Sequence, residues 1–320
     1  CICPAIIYCY SPHNGCCTII IGDFDRKYIS LEEMSIILSY YHLCKPNVVL
    51  MMLITALVGS LLASEKDQID FTLILISLLG IGLCAASAAT INQIIDREAD
   101  AGMLRTEKRP LPSGEITPTH ASIFALLIGA TGFGILINFV NPITAYLTVA
   151  SLIGYAFIYT VYLKRATPQN IVIGGLAGAA PPLLGWTSIT GAIHPNGLLL
   201  VLIIFAWTPP HFWALAIDRK DEYAKEDIPM LPVTHGVQFT KLQIILYTII
   251  MILVSLFPYI VGMSSILYLL VALLLGLIFL VYSLVLYWDK DNKTAMPTFR
   301  YSIYYIFLIF IALLLDHYIL

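Results

Sequence analysis

Nine apolar stretches, most of them about 20 residues long as a bilayer-spanning helix requires, recur along this chain at 48–63, 71–91, 119–138, 143–162, 170–189, 197–217, 241–261, 265–287 and 299–315. They predict an all-α integral membrane protein. Composition agrees, with 59% of residues hydrophobic and 12% charged, against roughly a quarter charged in soluble domains. Lys and Arg in short loops stay on the cytoplasmic side. Nine spans with the N-terminus inside leave only Lys66 outside, of 17 bases. A missed helix would scatter the later loops over both faces. The prediction is therefore an N-terminus and charged loops in the cytoplasm.

Residues 1–30 read as an N-terminal extension ahead of a polytopic domain spanning 31–320. Five of the seven cysteines lie within its first 17 residues, in no zinc-like spacing. It has neither the Arg-rich, acid-poor character of a transit peptide nor a signal-peptide pattern. That points to a bacterial plasma membrane.

The inner loops carry the chemistry. Outer connections 138–142, 190–196 and 262–264 are short and nearly uncharged, whereas 92–118 and 218–239 are long and dense in charge. In "NQIIDREADAGMLRTEKRPLPSG", Asn92, Asp96 and Asp100 recur every four residues. On a helix continuing out of the second span they form one stripe, neighbours at about 6 Å. Two carboxylates and an amide so close repel unless a cation joins them. Mg²⁺ suits such a stripe, because it takes a few protein oxygens and fills its shell with water and phosphate oxygens. Arg105, Lys108 and Arg109 follow, ahead of the turn at 110–114, and are spaced to clamp the same phosphates. A solvated helix with paired charges is the bland alternative.

A second stripe argues against it. Asp218 and Glu222 in "DRKDEYAKED" are again four apart, four spans later. A repeated four-helix unit would bring both stripes around one cavity, as a site for a metal-bound diphosphate. The same segment also reads as an ion-paired helix. In "YLKRATPQN", Lys164 and Arg165 are positive-inside anchors that would face the diphosphate from the opposite wall, and Thr167, Pro168 and Asn170 read as a turn and helix start.

Inside the membrane, Gly174 with Gly178 and Gly175 with Ala179 form a small-xxx-small pattern suited to close helix approach. Pro181 and Pro182 predict a helix break bordering protein or a cavity. "WTPPHFW" puts His211 at membrane depth, a functional candidate by default. The alternative is a neutral imidazole bonded to carbonyls freed by Pro209 and Pro210. Aromatics such as Tyr155, Tyr159 and Trp207 either pack or line an apolar tunnel and face a developing cation.

These motifs resemble the UbiA intramembrane prenyltransferase superfamily and, within it, the protohaem IX farnesyltransferase (haem O synthase) family. The superfamily's first motif, N-D-x-x-D-x-x-x-D, matches Asn92, Asp96 and Asp100, with Gln93 at the second position; D-x-x-x-D matches Asp218 and Glu222. "TPPHFWALAI", "DIPMLPVTHG" and "YLKRATPQNIVIGGLAGAAPPLLGW" carry the narrower resemblance, which covers roughly 35–310. "KPN" at 45–47 departs from the family's usual Lys-Pro-Arg.

The resemblance implies a UbiA-type fold of nine helices around a central cavity. It implies farnesyl transfer from farnesyl diphosphate to a vinyl group of haem B, with Mg²⁺ on Asn92, Asp96, Asp100, Asp218 and Glu222. Asp96, Asp100, Arg105 and Lys164 would be catalytic. Lys108, Arg109, Arg165, Tyr159 and His211 would bind substrate with Arg105 and Lys164. Haem A synthase or a terminal oxidase assembly would be neighbours in the bilayer; no nucleic acid is implied. A quinone-precursor prenyltransferase shares all this chemistry except the acceptor. A transporter would need polar groups along a path through the bilayer, and here the acids crowd one face.

Overall fold

The computed structural model describes residues 31–103 and 106–319, with the backbone alone for residues 31–34 and Arg165. The expected extension 1–30, Arg105 and the Arg165 side chain lie outside the described residues.

The chain forms helices α1 (Leu31–Leu43), α2 (Pro46–Ala63), α3 (Phe71–Ala101), α4 (Pro118–Phe139), α5 (Pro142–Leu163), α6 (Asn170–Thr190), α7 (Pro195–Asp218), α8 (Lys220–Lys225), α9 (Val237–Ile260), α10 (Ile266–Trp288) and α11 (Ala295–Ile319). Among the described residues, the nine from α2 to α7 and α9 to α11 are long and apolar enough to cross a membrane. Their outward surface is apolar. Leu75, Leu126 and Leu274 are 67%, 72% and 61% exposed, which a water-soluble surface rarely tolerates in such number.

Local sequence sets the helix starts. Thr117 accepts from His120 N–H ahead of Pro118, and Asn141 accepts from Thr144 N–H ahead of Pro142. Both combine a side-chain cap with a proline whose missing N–H costs nothing in the first turn. α6 breaks at Ala180, ahead of Pro181 and Pro182, where the sequence predicts it.

Between helices in lipid, packing and hydrogen bonds replace the hydrophobic drive. α2 meets the second half of α6 backbone to backbone. A Cβ on Gly59 would lie 2.0 Å from the Pro182 carbonyl oxygen, and one on Gly185 would lie 1.9 Å from that of Ala56. Ser60 Oγ donates across the same seam to Gly185 O at 3.0 Å. The predicted Gly174–Gly178 pair is not this contact. Gly174 makes room for an aromatic ring, Gly175 lies against Thr208, and nothing stands within 4 Å of a Cβ on Gly178. α3 and α4 close similarly at Gly80 and Gly132, with Ser87 Oγ donating to Ala125 O at 2.7 Å.

The helices leave a cavity of about 490 Å³. Among the described residues, α2, α3, α5, α6, α7 and α11 line it, along with Lys45; α4, α9 and α10 stand behind.

Candidate active site

α3 continues past its expected end at residue 91 to Ala101, so Asn92, Asp96 and Asp100 do share one helical face, and all three are buried. Buried polar groups must be partnered, and these are. Asn92 donates through Nδ2 to Asp96 Oδ2 at 2.9 Å and to Thr160 Oγ1 at 3.1 Å, and accepts through Oδ1 from Lys45 Nζ. Asp96 Oδ2 also pairs with Lys164 Nζ at 2.7 Å. One turn on, Asp100 Oδ2 pairs with Arg109 Nη1 at 2.5 Å, and Thr106 Oγ1 donates to the Asp100 carbonyl at 2.8 Å. That last bond turns the chain after α3 and brings Arg109 back over the helix end.

Lys45 joins this cluster through an unusual backbone. It sits in the left-handed region, φ 48°, between α1 and the proline that opens α2. A side chain there costs on the order of 1–2 kcal/mol, and the following proline already disfavours the ordinary helical alternative. Burial pushes its ammonium down to about 7, and Arg109 and Lys164 reinforce this while Asp96 and Asp100 oppose it. All four charges are thus within electrostatic reach of Lys45.

α5 supplies the opposite wall. Its second half, Gly154–Leu163, is a π-helix, a form whose hydrogen bonds reach five residues instead of four and which recurs at functional sites. Thr160 Oγ1 donates to Tyr155 O, five residues back, at 2.8 Å, which leaves its lone pairs to accept from Asn92. Tyr155 and Tyr159 stack at 5.7 Å. The Tyr159 ring lies over Gly174, where a Cβ would come within 2.1 Å of it. Any side chain at 174 would have to displace that ring.

The second acidic stripe is arranged differently. Asp218 and Glu222 both pair with Arg219, at 3.3 and 2.9 Å. Next to them Tyr223 is buried in a small core with Met103, Ile171, Ala216, Ile228 and Met230. The two acidic segments do meet, for Glu226 Oε1 would lie 1.8 Å from a Cβ on Gly102. Tyr159 is within electrostatic range of both Asp96 and Tyr223. Among the described residues, however, no three acid, His or Cys side chains stand close enough to hold a metal as they are. Asp96, Asp100, Asp218 and Glu222 each face a base instead. Lys108 is exposed.

The polar cluster opens onto the cavity through Lys45 and Tyr155, which line it; Tyr155 is also within electrostatic range of Asp96, Asp100 and Arg109. Beyond them the walls are apolar: Met52, Ile81, Leu152, Leu184, Ile204 and Ile306. His211 lines this cavity. Its Nδ1 bonds Ser302 Oγ at 2.6 Å, not the carbonyls that Pro209 and Pro210 free.

Sequence reasoning passes over Lys45 as a site residue and over Thr160 altogether. Lys45 carries a usable signal, a lone base directly before a proline-led span. Thr160 carries none.

The UbiA prenyltransferase family profile matches residues 52–314. "Protoheme IX farnesyltransferase 1" of Pseudomonas fluorescens (strain Pf0-1) is 59% identical over 281 residues, covering 88% of this chain and 94% of its own. "Protoheme IX farnesyltransferase" of Ectopseudomonas mendocina (strain ymp) is 60% identical with the same coverage. Among solved structures, a digeranylgeranylglyceryl phosphate synthase aligns with a TM-score of 0.75 at 20% identity, over 90% of this chain and all of its own. A UbiA homolog from Archaeoglobus fulgidus, bound to DMAPP and Mg²⁺, aligns with a TM-score of 0.63 at 19% identity, over 86% of this chain and 99% of its own. The chain belongs to the UbiA prenyltransferase family and, within it, to the protohaem IX farnesyltransferases.

Proposed function

We propose that the protein is a haem O synthase, which transfers the farnesyl group of farnesyl diphosphate to a vinyl group of haem B and releases diphosphate. The observation that carries this reading is the junction at Lys45 and Tyr155, where a buried cluster of acids and bases opens directly into an apolar cavity. A prenyl diphosphate has the same two-part shape. The volume of about 490 Å³ is in the range of ligand pockets, about 300–1,000 Å³.

Asn92, Asp96, Asp100, Asp218 and Glu222 present only hard oxygen donors, which fits Mg²⁺, and they are the residues that would hold it. Bound there, it would neutralise diphosphate charge. Lys45, Lys164 and Arg109 take up the negative charge that grows on the diphosphate as its bond to the allylic carbon breaks. Arg105, Lys108 and Arg165 are further bases in the same loops. The apolar walls keep water from the allylic cation, while the ring of Tyr155, which lines the cavity with Tyr159 stacked on it, favours a positive charge. The haem vinyl carbon then attacks that cation, and water adds to the new one and gives up a proton to the released diphosphate, leaving a hydroxyl.

We further infer that the charged end faces the cytoplasm of a bacterial plasma membrane, from the gathering of Lys and Arg in its loops. Haem A synthase or a terminal oxidase assembly would take the product. Purified protein given haem B, farnesyl diphosphate and Mg²⁺ should yield haem with the mass of one added farnesyl group and one hydroxyl, with diphosphate released. Unmodified haem beside a prenylated quinone precursor in a parallel incubation would assign the acceptor instead to the quinone branch.

A further inference from the structure

Two short contacts at Ser302 fix the protonation of His211. Ser302 Oγ lies 2.5 Å from the Phe299 carbonyl oxygen and 2.6 Å from His211 Nδ1. Oxygens or nitrogens that close repel unless a proton lies between them. The serine hydroxyl has one proton, and the carbonyl has none. Ser302 therefore donates to Phe299, and His211 Nδ1–H donates to Ser302. In the neutral ring Nε2 then carries a bare lone pair.

The ring is also held still. Trp207 stacks on it at 4.1 Å and Phe299 at 4.6 Å, and Trp207 Nε1 donates to the Ser302 carbonyl at 2.7 Å. Of the hydroxyls on the cavity wall, Thr55, Thr148 and Ser151 donate to backbone carbonyls, and that of Tyr155 belongs to the charged end, within electrostatic range of Asp96, Asp100 and Arg109. A fixed imidazole with one nitrogen donating, through a hydroxyl, to a carbonyl and the other unprotonated is the arrangement of metal-ligating histidines. A lone pair so placed can bind a Lewis acid, and a porphyrin iron is one that an apolar cavity can admit, since imidazole is a common axial ligand of haem iron.

We propose that His211 Nε2 is an axial ligand to the iron of the acceptor haem, with Ser302 as the residue that sets its tautomer. The proposal rests on the haem reading of the acceptor. It assigns His211 a substrate-binding role rather than one in bond breaking.

The test is haem B titrated into the detergent-purified protein without prenyl donor, followed by optical and resonance Raman spectra. Wild type should show an iron–histidine signature. H211F, which keeps an aromatic in the Trp207–Phe299 stack, should lose it, and H211G should regain it with added imidazole. S302A keeps the ligand but removes its hydrogen-bond acceptor, and should weaken haem affinity about 10- to 100-fold, as loss of a supporting hydrogen bond does at metal sites. An unchanged signature in H211F overturns the proposal. If H211F does not elute as a monodisperse species, S302A decides, and wild-type affinity together with a wild-type iron–ligand frequency overturns it. Failure of the wild type to bind haem at all overturns the acceptor reading with it, so the two failures are distinct.

Discussion

Thr160 offers the sharpest test of the site, because its hydroxyl is a link in a chain of bonds and its shape can be kept. In Thr160→Val the methyl groups fill the same buried space, but Asn92 Nδ2 loses the acceptor it has at 3.1 Å, and the Tyr155 carbonyl loses a donor at 2.8 Å. One buried donor left unpaired costs about 1–3 kcal/mol. The amide is then held by Asp96 and Lys45 alone, and its placement of Lys45 loosens. If that cost falls on the transition state, turnover drops roughly 5- to 150-fold, at about 1.4 kcal/mol per tenfold. Diphosphate release from farnesyl diphosphate and haem B reads this directly. Thr160→Ser keeps the hydroxyl and should stay within a few-fold of wild type. A Val variant at the wild-type rate, or a Ser variant as slow as Val, would refute the argument.

Four other outcomes follow from the same geometry. Asp96→Ala should abolish haem O formation in a protein that still inserts and elutes as wild type, because it removes the partner of both Asn92 and Lys164. Lys164→Ala should slow turnover by roughly 10²–10³, the loss typical of one preorganised group facing a developing anion; activity measured at saturating substrate checks it. Gly59→Ala should lower thermal stability by about 1–3 kcal/mol, as overpacking does, since its Cβ meets backbone at 2.0 Å, whereas Gly134→Ala has nothing within 4 Å and should be silent in the same melt. Chelation of divalent cations should stop diphosphate release with no change in helical content by circular dichroism, and Mg²⁺ should restore it.

Much of this arrangement is legible in the chain before any coordinates. The spans announce themselves because each must cover the hydrocarbon thickness in apolar residues, and the break at Pro181 because proline cannot donate. The stripe at Asn92, Asp96 and Asp100 needs only that α3 continue beyond the membrane, and it does. What stays hidden depends on partners far apart in sequence. The Lys45–Asn92 bond spans 47 residues and the His211–Ser302 bond 91, and no periodicity encodes either. The π-helical register of α5 has no local signature, yet it puts Thr160 beside Asn92. The glycines of α6 mislead for a related reason. A small residue says that something comes close, but not whether it is a helix, as at Gly185, or the ring of Tyr159, as at Gly174.

The pairing of each site acid with a base has a thermodynamic corollary. On the proposed reading, a diphosphate that draws Lys164 and Arg109 to itself strips Asp96 and Asp100 of their counter-charges, and these then attract a divalent ion far more strongly. An ion taken first likewise releases the two bases toward an incoming anion. Each guest thereby raises the affinity for the other, by the same factor in both directions.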